Sequence, residues 1–382
     1  MKNPIIHLLL AGLFCFATAC QKDILIPKPD AAGDISYADH PRHAEYEAVL
    51  DDYRTKTGAP GAILLLQRQG EPLWVGASGS SNLEHQTPMR TNTPIRTGSV
   101  TKTFTAVAVL RLVEQGKLGL DDKLSERLPK VVGRIPKAEK ITIRHLLGHL
   151  SGIFDPANES LRYKLEIVNN PERIDRMSTD ELLEEYVYGE KLHFEPGTAW
   201  SYCNTNYWLL GQIIESVTGK TLQAAFEAFI FTPLQLTGTY IERRDDRNVA
   251  RGYTDLYGDG KLLDVSRWDR ADGDGKADGG LVSTATDLGK FLRALMAGEL
   301  VADETLAEMM RVQLEGCDNF DCEYGLGLSL YRTSAGDAYG HSGGLVGIDV
   351  NMLYYQGSGS FYVVYKNNGS GADKSFLDAL LK

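Results

Sequence analysis

Apolar positions follow two kinds of pattern along the chain. Over residues 43–53 they recur at helical spacing (Tyr46, Val49, Leu50, Tyr53), and Gly58 is placed to end that helix. Residues 62–67 and 72–77 are short apolar runs split by Gln69-Gly70-Glu71, the pattern of a β-hairpin. Residues 99–114 carry the strongest helical period, through Phe104, Val107, Ala108, Leu110 and Val113 to a stop at Gly116. From 120 to 300 the chain reads mostly as helices and loops, with helical runs near 142–150, 179–188, 205–217, 221–230 and 285–297. The pattern then changes. Residues 324–331, 348–355 and 361–366 are β-like runs with turn residues between them, and 372–381 reads as a closing helix.

Strand-forming sequence thus lies at both ends of the domain and helix-forming sequence in the middle. The economical solution is an α+β fold: an antiparallel β-sheet built from both chain ends and flanked by helices. A mostly helical inserted domain over roughly 120–300 would lie beside it. No internal repeat is visible.

The first residues have another character. Lys2 precedes an apolar stretch at 5–16, broken only by His7, and Ala17-Thr18-Ala19 supplies small residues for cleavage. Residues 1–19 are therefore expected to be a signal peptide, too short for a stable membrane span. Small residues directly before Cys20 resemble the lipobox of bacterial lipoproteins, although Ala17 stands where Leu is preferred. That resemblance implies lipidation of Cys20. Residues 20–39 then form a tether and 40–382 a single domain. It also implies an exported protein, lipid-anchored to a bacterial membrane and facing the periplasm or the cell surface.

The chain has 382 residues and a net charge of −11, from 40 Lys and Arg against 51 Asp and Glu. Such an acidic chain lacks the footprint of a nucleic-acid binder. Five cysteines do not make a disulfide scaffold. Cys317 and Cys322 flank a short loop and are expected to pair, as an exported protein allows. Cys203 is then left as a small, half-buried thiol.

Three short motifs carry chemistry. Ser99-Val100-Thr101-Lys102 opens the strongest helix after the Gly98 turn. Residues three apart share a helix face, so the hydroxyl and amine can meet. The helix N-terminus favours developing negative charge, and an amine against apolar walls can take the serine proton. Tyr202-Cys203-Asn204 follows: a Tyr in a cationic pocket can relay protons, and an Asn amide can both donate to and accept from a substrate amide. His341-Ser342-Gly343-Gly344 falls between two strand-like runs, near a sheet edge. There a cation or donor at 341 and a hydroxyl at 342 would hold a substrate carboxylate, while glycines admit a close backbone. The N–H groups of Ser99 and Gly344 could form an oxyanion hole. Lys56-Thr57-Gly58 and Tyr365-Lys366-Asn367 echo two of these motifs, but lie at a helix end and at the end of the last strand.

In this order the motifs resemble those of the serine β-lactamase and D-alanyl-D-alanine carboxypeptidase family of penicillin-recognising enzymes. The likeness runs from about 40 to 382. It is supported by Gly116-Lys117-Leu118-Gly119-Leu120-Asp121-Asp122, by residues 141–152 and 194–207, and by Gly279-Gly280-Leu281-Val282-Ser283-Thr284-Ala285. The resemblance implies Ser99 as acylated nucleophile, Lys102 as its base partner and Tyr202 as proton relay to the leaving group. Asn204, His341, Ser342 and Gly343 are the implied substrate-binding positions. Tyr202, where other branches carry a serine, points to the class C side of the family. His341, where most β-lactamases carry Lys, leans toward carboxypeptidases, D-peptidases and esterases.

The expected function is a serine hydrolase working through an acyl-enzyme. The substrate would be a D-alanyl-D-alanine peptide or another D-amino-acid peptide, with a β-lactam or ester as alternative. A non-hydrolysing penicillin-binding sensor is a further alternative, weakened by the lack of a membrane span after residue 20. No cofactor or metal is expected. His145 and His149 lack a third ligand, and Asp272-Gly273-Asp274-Gly275 with Asp278 lacks the rest of a calcium loop. The acidic run at 180–185 reads as a solvated helix face.

Overall fold

The computed structural model describes residues 35–241, 248–273, 276–314 and 323–369. The leader, Cys20, the tether as far as 34, the Cys317–Cys322 pair and the expected closing helix at 372–381 lie outside these residues.

The hairpin forms as β1 (Gly61–Gln67) and β2 (Trp74–Asn82), with β3 (Thr87–Pro88) beside it. The middle region contributes only short strands: β4 (Ile95–Arg96), β5 (Tyr240–Ile241), β6 (Tyr253–Thr254), β7 (Leu263–Asp264) and β8 (Leu281–Ser283). Here β8 lies between β4 and β5, and β6 pairs with β7. The last part supplies β9 (Ser329–Thr333), β10 (Gly336–Gly344), β11 (Asp349–Tyr355) and β12 (Ser360–Lys366). The main sheet runs β3-β2-β1-β12-β11-β10-β9, so the chain ends meet where β1 lies against β12. The register there sets Ala62 opposite Lys366 and Gln67 opposite Phe361.

Alternation along the central strands explains why both faces of the sheet are covered. Ile63 and Leu65 of β1, Phe361, Val363 and Tyr365 of β12, and Val350 and Met352 of β11 enter the large core. Ala62, Leu64 and Leu66, with Tyr362, Val364, Leu353 and Tyr355, enter a smaller core with Tyr46, Leu50 and Tyr53 of the helix His43–Thr57. On the opposite face the helix Ala285–Met296 packs on β1, β11 and β12. It falls within the stretch read as a helical insertion, yet it belongs to the sheet layer.

Two strands differ from the sequence reading. The run at 324–331 becomes strand only at Ser329, because the Gly325 N–H closes a turn onto Leu328 O and Gly327 sits at φ +78. Strand β10 has no apolar run to announce it; its pairing with β9 and β11 makes it a strand. The His341-Ser342-Gly343 motif is therefore inside a strand, paired with β11 on one side and lying beyond the stretch that β9 covers on the other. The run at 99–114 begins as a 3-10 turn, Gly98–Val100, before the α-helix Thr101–Glu114.

Candidate active site

Ser99 lies in the 3-10 turn, and one turn on, the helix carries Lys102 beneath it. Lys102 is fully buried. Its Nζ donates to Ser99 Oγ at 3.0 Å, to Asn204 Oδ1 at 2.7 Å and to the Asp278 carbonyl at 2.9 Å. The three partners hold the amine in place beneath Ser99. The rings of Tyr202 and Tyr207 flank it, with centroids 5.0 and 5.6 Å from Nζ.

Asn204 begins the helix Asn204–Thr218. While Oδ1 holds Lys102, its Nδ2 and its backbone N–H both donate to Asp155 Oδ2 at 3.0 Å. One amide hydrogen is left for a substrate, so at rest Asn204 serves mainly to orient the amine. Asp155 is buried, which pushes its carboxyl up to about 6, and Ala157 N–H and Asn158 Nδ2 also donate to it. Nothing in the sequence singled out Asp155; it lies 49 residues before Asn204.

Tyr202 faces the same cavity as Ser99. Among the described residues no hydrogen bond joins its hydroxyl to Ser99 or Lys102. Its ring lies 4.4 Å, centroid to centroid, from His149. The fully buried His149 accepts the Cys203 N–H at Nδ1, 3.1 Å, and so fixes the backbone between Tyr202 and Asn204. Burial, with Lys102 nearby, holds its imidazole well below the usual range. His145 and His149 do not combine into a metal site; among the described residues no such cluster exists. Cys203 is buried, its Sγ donates to Ile153 O at 3.3 Å, and burial pushes the thiol up, as for an inert packing residue.

Strand β10 forms the facing wall. A Cβ at Gly343 would stand 2.0 Å from Thr97 O, and one at Gly98 would stand 3.2 Å from Gly344 N. The glycine at 343 thus serves close approach by the protein's own backbone, whereas the space beside Gly344 is open. Ser99 and Gly344 both border the cavity. Ser342 borders it too; its Oγ and N–H accept and donate with Tyr331 Oη at 3.3 and 3.1 Å.

His341 differs from its expected part. It is buried; Nδ1 donates to Ser342 O at 2.6 Å, and Nε2 accepts from Tyr324 Oη at 2.9 Å. Burial and the adjacent Lys102 pull it down to about 3, so the ring is neutral at physiological pH. A cation at 341 for a substrate carboxylate does not form. Tyr324, which the sequence marked only as strand, is the buried partner that fixes the tautomer.

The cavity has a volume of about 490 Å³ and is walled by Trp200, Tyr202, Tyr324 and Tyr331 as well as the polar groups above. A hydroxyl beside an amine and a neighbouring phenol are parts needed to attack a carbonyl, and the backbone N–H groups of Ser99 and Gly344 at the same cavity are candidates to hold the resulting oxyanion.

The sequence profile described as Beta-lactamase matches residues 46–381. Penicillin-binding protein 4 of Amycolatopsis lactamdurans is 30% identical over 346 residues, covering 86% of each chain. Esterase EstB of Burkholderia gladioli is 32% identical over 216 residues, 56% of this chain and 55% of the esterase. The crystal structure of a D-stereospecific amidohydrolase from Streptomyces sp. superposes with a TM-score of 0.75 at 29% identity, covering 89% of this chain and 98% of that one. Sequence profile, relatives and fold agree that the chain belongs to the β-lactamase family of penicillin-recognising serine hydrolases.

Proposed function

We propose that the protein is a D-amino-acid amidase or peptidase that acts through an ester on Ser99. Lys102, acting as the neutral amine with its lone pair toward Ser99 Oγ, takes the hydroxyl proton and becomes the ammonium as Oγ attacks the acyl carbon. The Ser99 and Gly344 N–H groups hold the oxyanion, and Tyr202 passes the proton to the departing amine. Water then cleaves the ester, with the proton returning along the same groups. Between the carboxypeptidase and D-peptidase readings, the neutral, fully engaged His341 favours the second. Among the described residues no Arg or Lys side chain borders the cavity. A carboxypeptidase needs an anchor for a terminal carboxylate, and an amidase does not. The Streptomyces structure, a D-stereospecific amidohydrolase, supports the same choice.

The test is intact mass of the protein from Gln21 onward after incubation with a D-amino-acid p-nitrophenyl ester, with Ser99→Ala as control. A transient acyl adduct on the wild type alone, with turnover of the D and not the L enantiomer, is the expected result. Acylation by penicillin with no turnover of D-amino-acid amides would favour the sensor instead. We also propose that Cys20 tethers the enzyme to the membrane, on the strength of the apolar run at 5–16 and the small residues before Cys20. Release of Cys20→Ala protein from the membrane fraction is the expected outcome; unchanged retention would refute it. Among the described residues no helix is long and apolar enough to cross a membrane.

A further inference from the structure

Tyr202 must deliver a proton to a defined point, yet its backbone belongs to no regular element. Residues 200–203 lie outside helix and strand, so neither a ladder nor a helical turn fixes that stretch. A second segment, residues 149–154, runs alongside and holds it. Leu150 O accepts the Gly197 N–H at 2.8 Å, and His149 O accepts the Ser201 N–H at 3.1 Å. Ile153 O accepts from Cys203 Sγ at 3.3 Å, and Phe154 O from Thr205 Oγ1 at 2.9 Å.

Within that segment His149 reaches both flanks of Tyr202. Its carbonyl oxygen takes the N–H of Ser201 on one side, and its Nδ1 takes the N–H of Cys203 on the other, at 3.1 Å. The amide nitrogen of Asn206 lies 3.5 Å from the same Nδ1, and Ser151 Oγ donates to Asn206 Oδ1 at 2.6 Å, which leaves that nitrogen facing the ring. Both neighbours of Nδ1 are donors, so the proton of the neutral ring sits on Nε2. Nε2 has no hydrogen-bond partner among the described residues, and the rings of Trp200, Tyr202, Tyr207 and Tyr324 surround the imidazole. The backbone at His149 adopts φ +61, a left-handed conformation that His bears better than most side chains but still at some cost. A packing role needs neither that strain nor an acceptor on each flank.

We infer that His149 is the positioning residue of Tyr202: its carbonyl oxygen and Nδ1 hold the two peptide N–H groups that bracket the tyrosine, and its ring supports the phenol ring, 4.4 Å away between centroids. This rests on the proton-relay part of the acyl-enzyme reading above and deepens it. The clamp keeps the phenol ring beside Lys102, whose Nζ lies 5.0 Å from its centroid. A misplacement of about 1 Å costs about 10²-fold in the rate of a positioned step. Loosening the clamp should therefore lower kcat, and chiefly where the leaving group must receive a proton.

The experiment uses two variants of one shape. His149→Asn keeps an acceptor where Nδ1 stands and tolerates a left-handed φ, whereas His149→Leu has the same branching and no acceptor. Each is assayed with a D-amino-acid p-nitroanilide and the matching p-nitrophenyl ester, alone and combined with Tyr202→Phe. His149→Leu is expected to lower the anilide-to-ester ratio of kcat by about tenfold with KM little changed, and His149→Asn to restore most of it. In the Tyr202→Phe background His149→Leu should lower the ratio no further. An equal loss on both substrates, or a fall in the ratio that persists in full without the Tyr202 hydroxyl, would overturn the clamp. The wild type gives a readout that needs no variant to fold: nitrogen-15 spectra of histidine-labelled protein at pH 7 should show His149 with a bare Nδ1 and a protonated Nε2. The opposite tautomer would also overturn the clamp. An unchanged ratio in Tyr202→Phe itself would remove the relay and the clamp with it. Ser99-dependent turnover of neither substrate would instead remove the acyl-enzyme reading, and the clamp would then be decided by the tautomer.

Discussion

At the scale of single residues the site is a chain of oriented groups. Asp155 holds Asn204, Asn204 holds Lys102, and Lys102 holds Ser99. Asn204→Ala removes the acceptor of the buried Lys102 amine and a donor to the buried Asp155 carboxyl. Acylation of Ser99 should slow by about 10²–10³-fold, read as the burst rate with a p-nitrophenyl ester. Tyr202→Phe separates two roles. A p-nitrophenolate leaves without a proton, whereas an anilide nitrogen must receive one. Loss of a proton relay should thus lower anilide turnover by about 10²-fold or more and ester turnover far less. Equal losses on both substrates would make Tyr202 a wall and not a relay. The residues Ser99, Lys102, Tyr202 and Asn204 were legible because each sits in a short motif at the start of a helix. Asp155, His149 and Tyr324 were not, since each matters through a partner far away in sequence and their own neighbours say nothing of it.

At the scale of elements, the site is the seam between the Gly98–Val100 turn and β10. The sequence reading found both motifs and set the second between strands near a sheet edge. It lies within the strand Gly336–Gly344, whose lack of apolar alternation hid it; β11 pairs with Ala338–Gly344 but β9 only as far as Gly340, so the motif keeps an open side. The seam is tight at one point: Gly343 faces Thr97 O. Gly343→Ala must push β10 away from the turn by about an ångström or more. A fall of about 10²-fold in kcat/KM is expected, with a Tm lowered as overpacking of a buried seam requires. Unchanged kinetics would show that the seam has slack. Leu65 of β1 tests the sheet against its helix cover. It is fully buried between β12 and the helix Ala285–Met296, so Leu65→Ala should cost about 2–5 kcal/mol in urea unfolding.

At the scale of the whole molecule, buried titratable groups set how stability follows pH. Asp269 is fully buried; burial pushes its carboxyl up to about 7, and Oδ1 accepts the Gly347 N–H at 2.8 Å. An ordinary unfolded-state carboxyl titrates near about 4. Between those values the folded state keeps a proton that the unfolded chain releases, so stability falls as pH rises through that window. Asp155 and Asp272, each raised to about 6, act with the same sign. His341, lowered to about 3, acts oppositely: stability rises with pH from there to about 6.5. Above that the histidine contribution is complete and the carboxyl contribution still declines. Wild-type Tm should therefore drop between pH 6 and pH 8, and Asp269→Asn should flatten that drop. An identical slope in the variant would refute the assignment.

The sequence by itself determined most of the elements and their order. The apolar runs of β1, β11 and β12 are a local property, as is the helical period after Ser99, and both survive into the structure. It also determined that the Ser99 hydroxyl and the Lys102 amine meet, because three residues at the start of a helix fix their distance. Tertiary structure alone decided the charge of His341, which depends on burial, on Lys102 and on Tyr324. It alone brought Asp155 to Asn204 and set Asp272 and Asp278 along the cavity beside Ser99. Those contacts span loops whose closure no local pattern encodes.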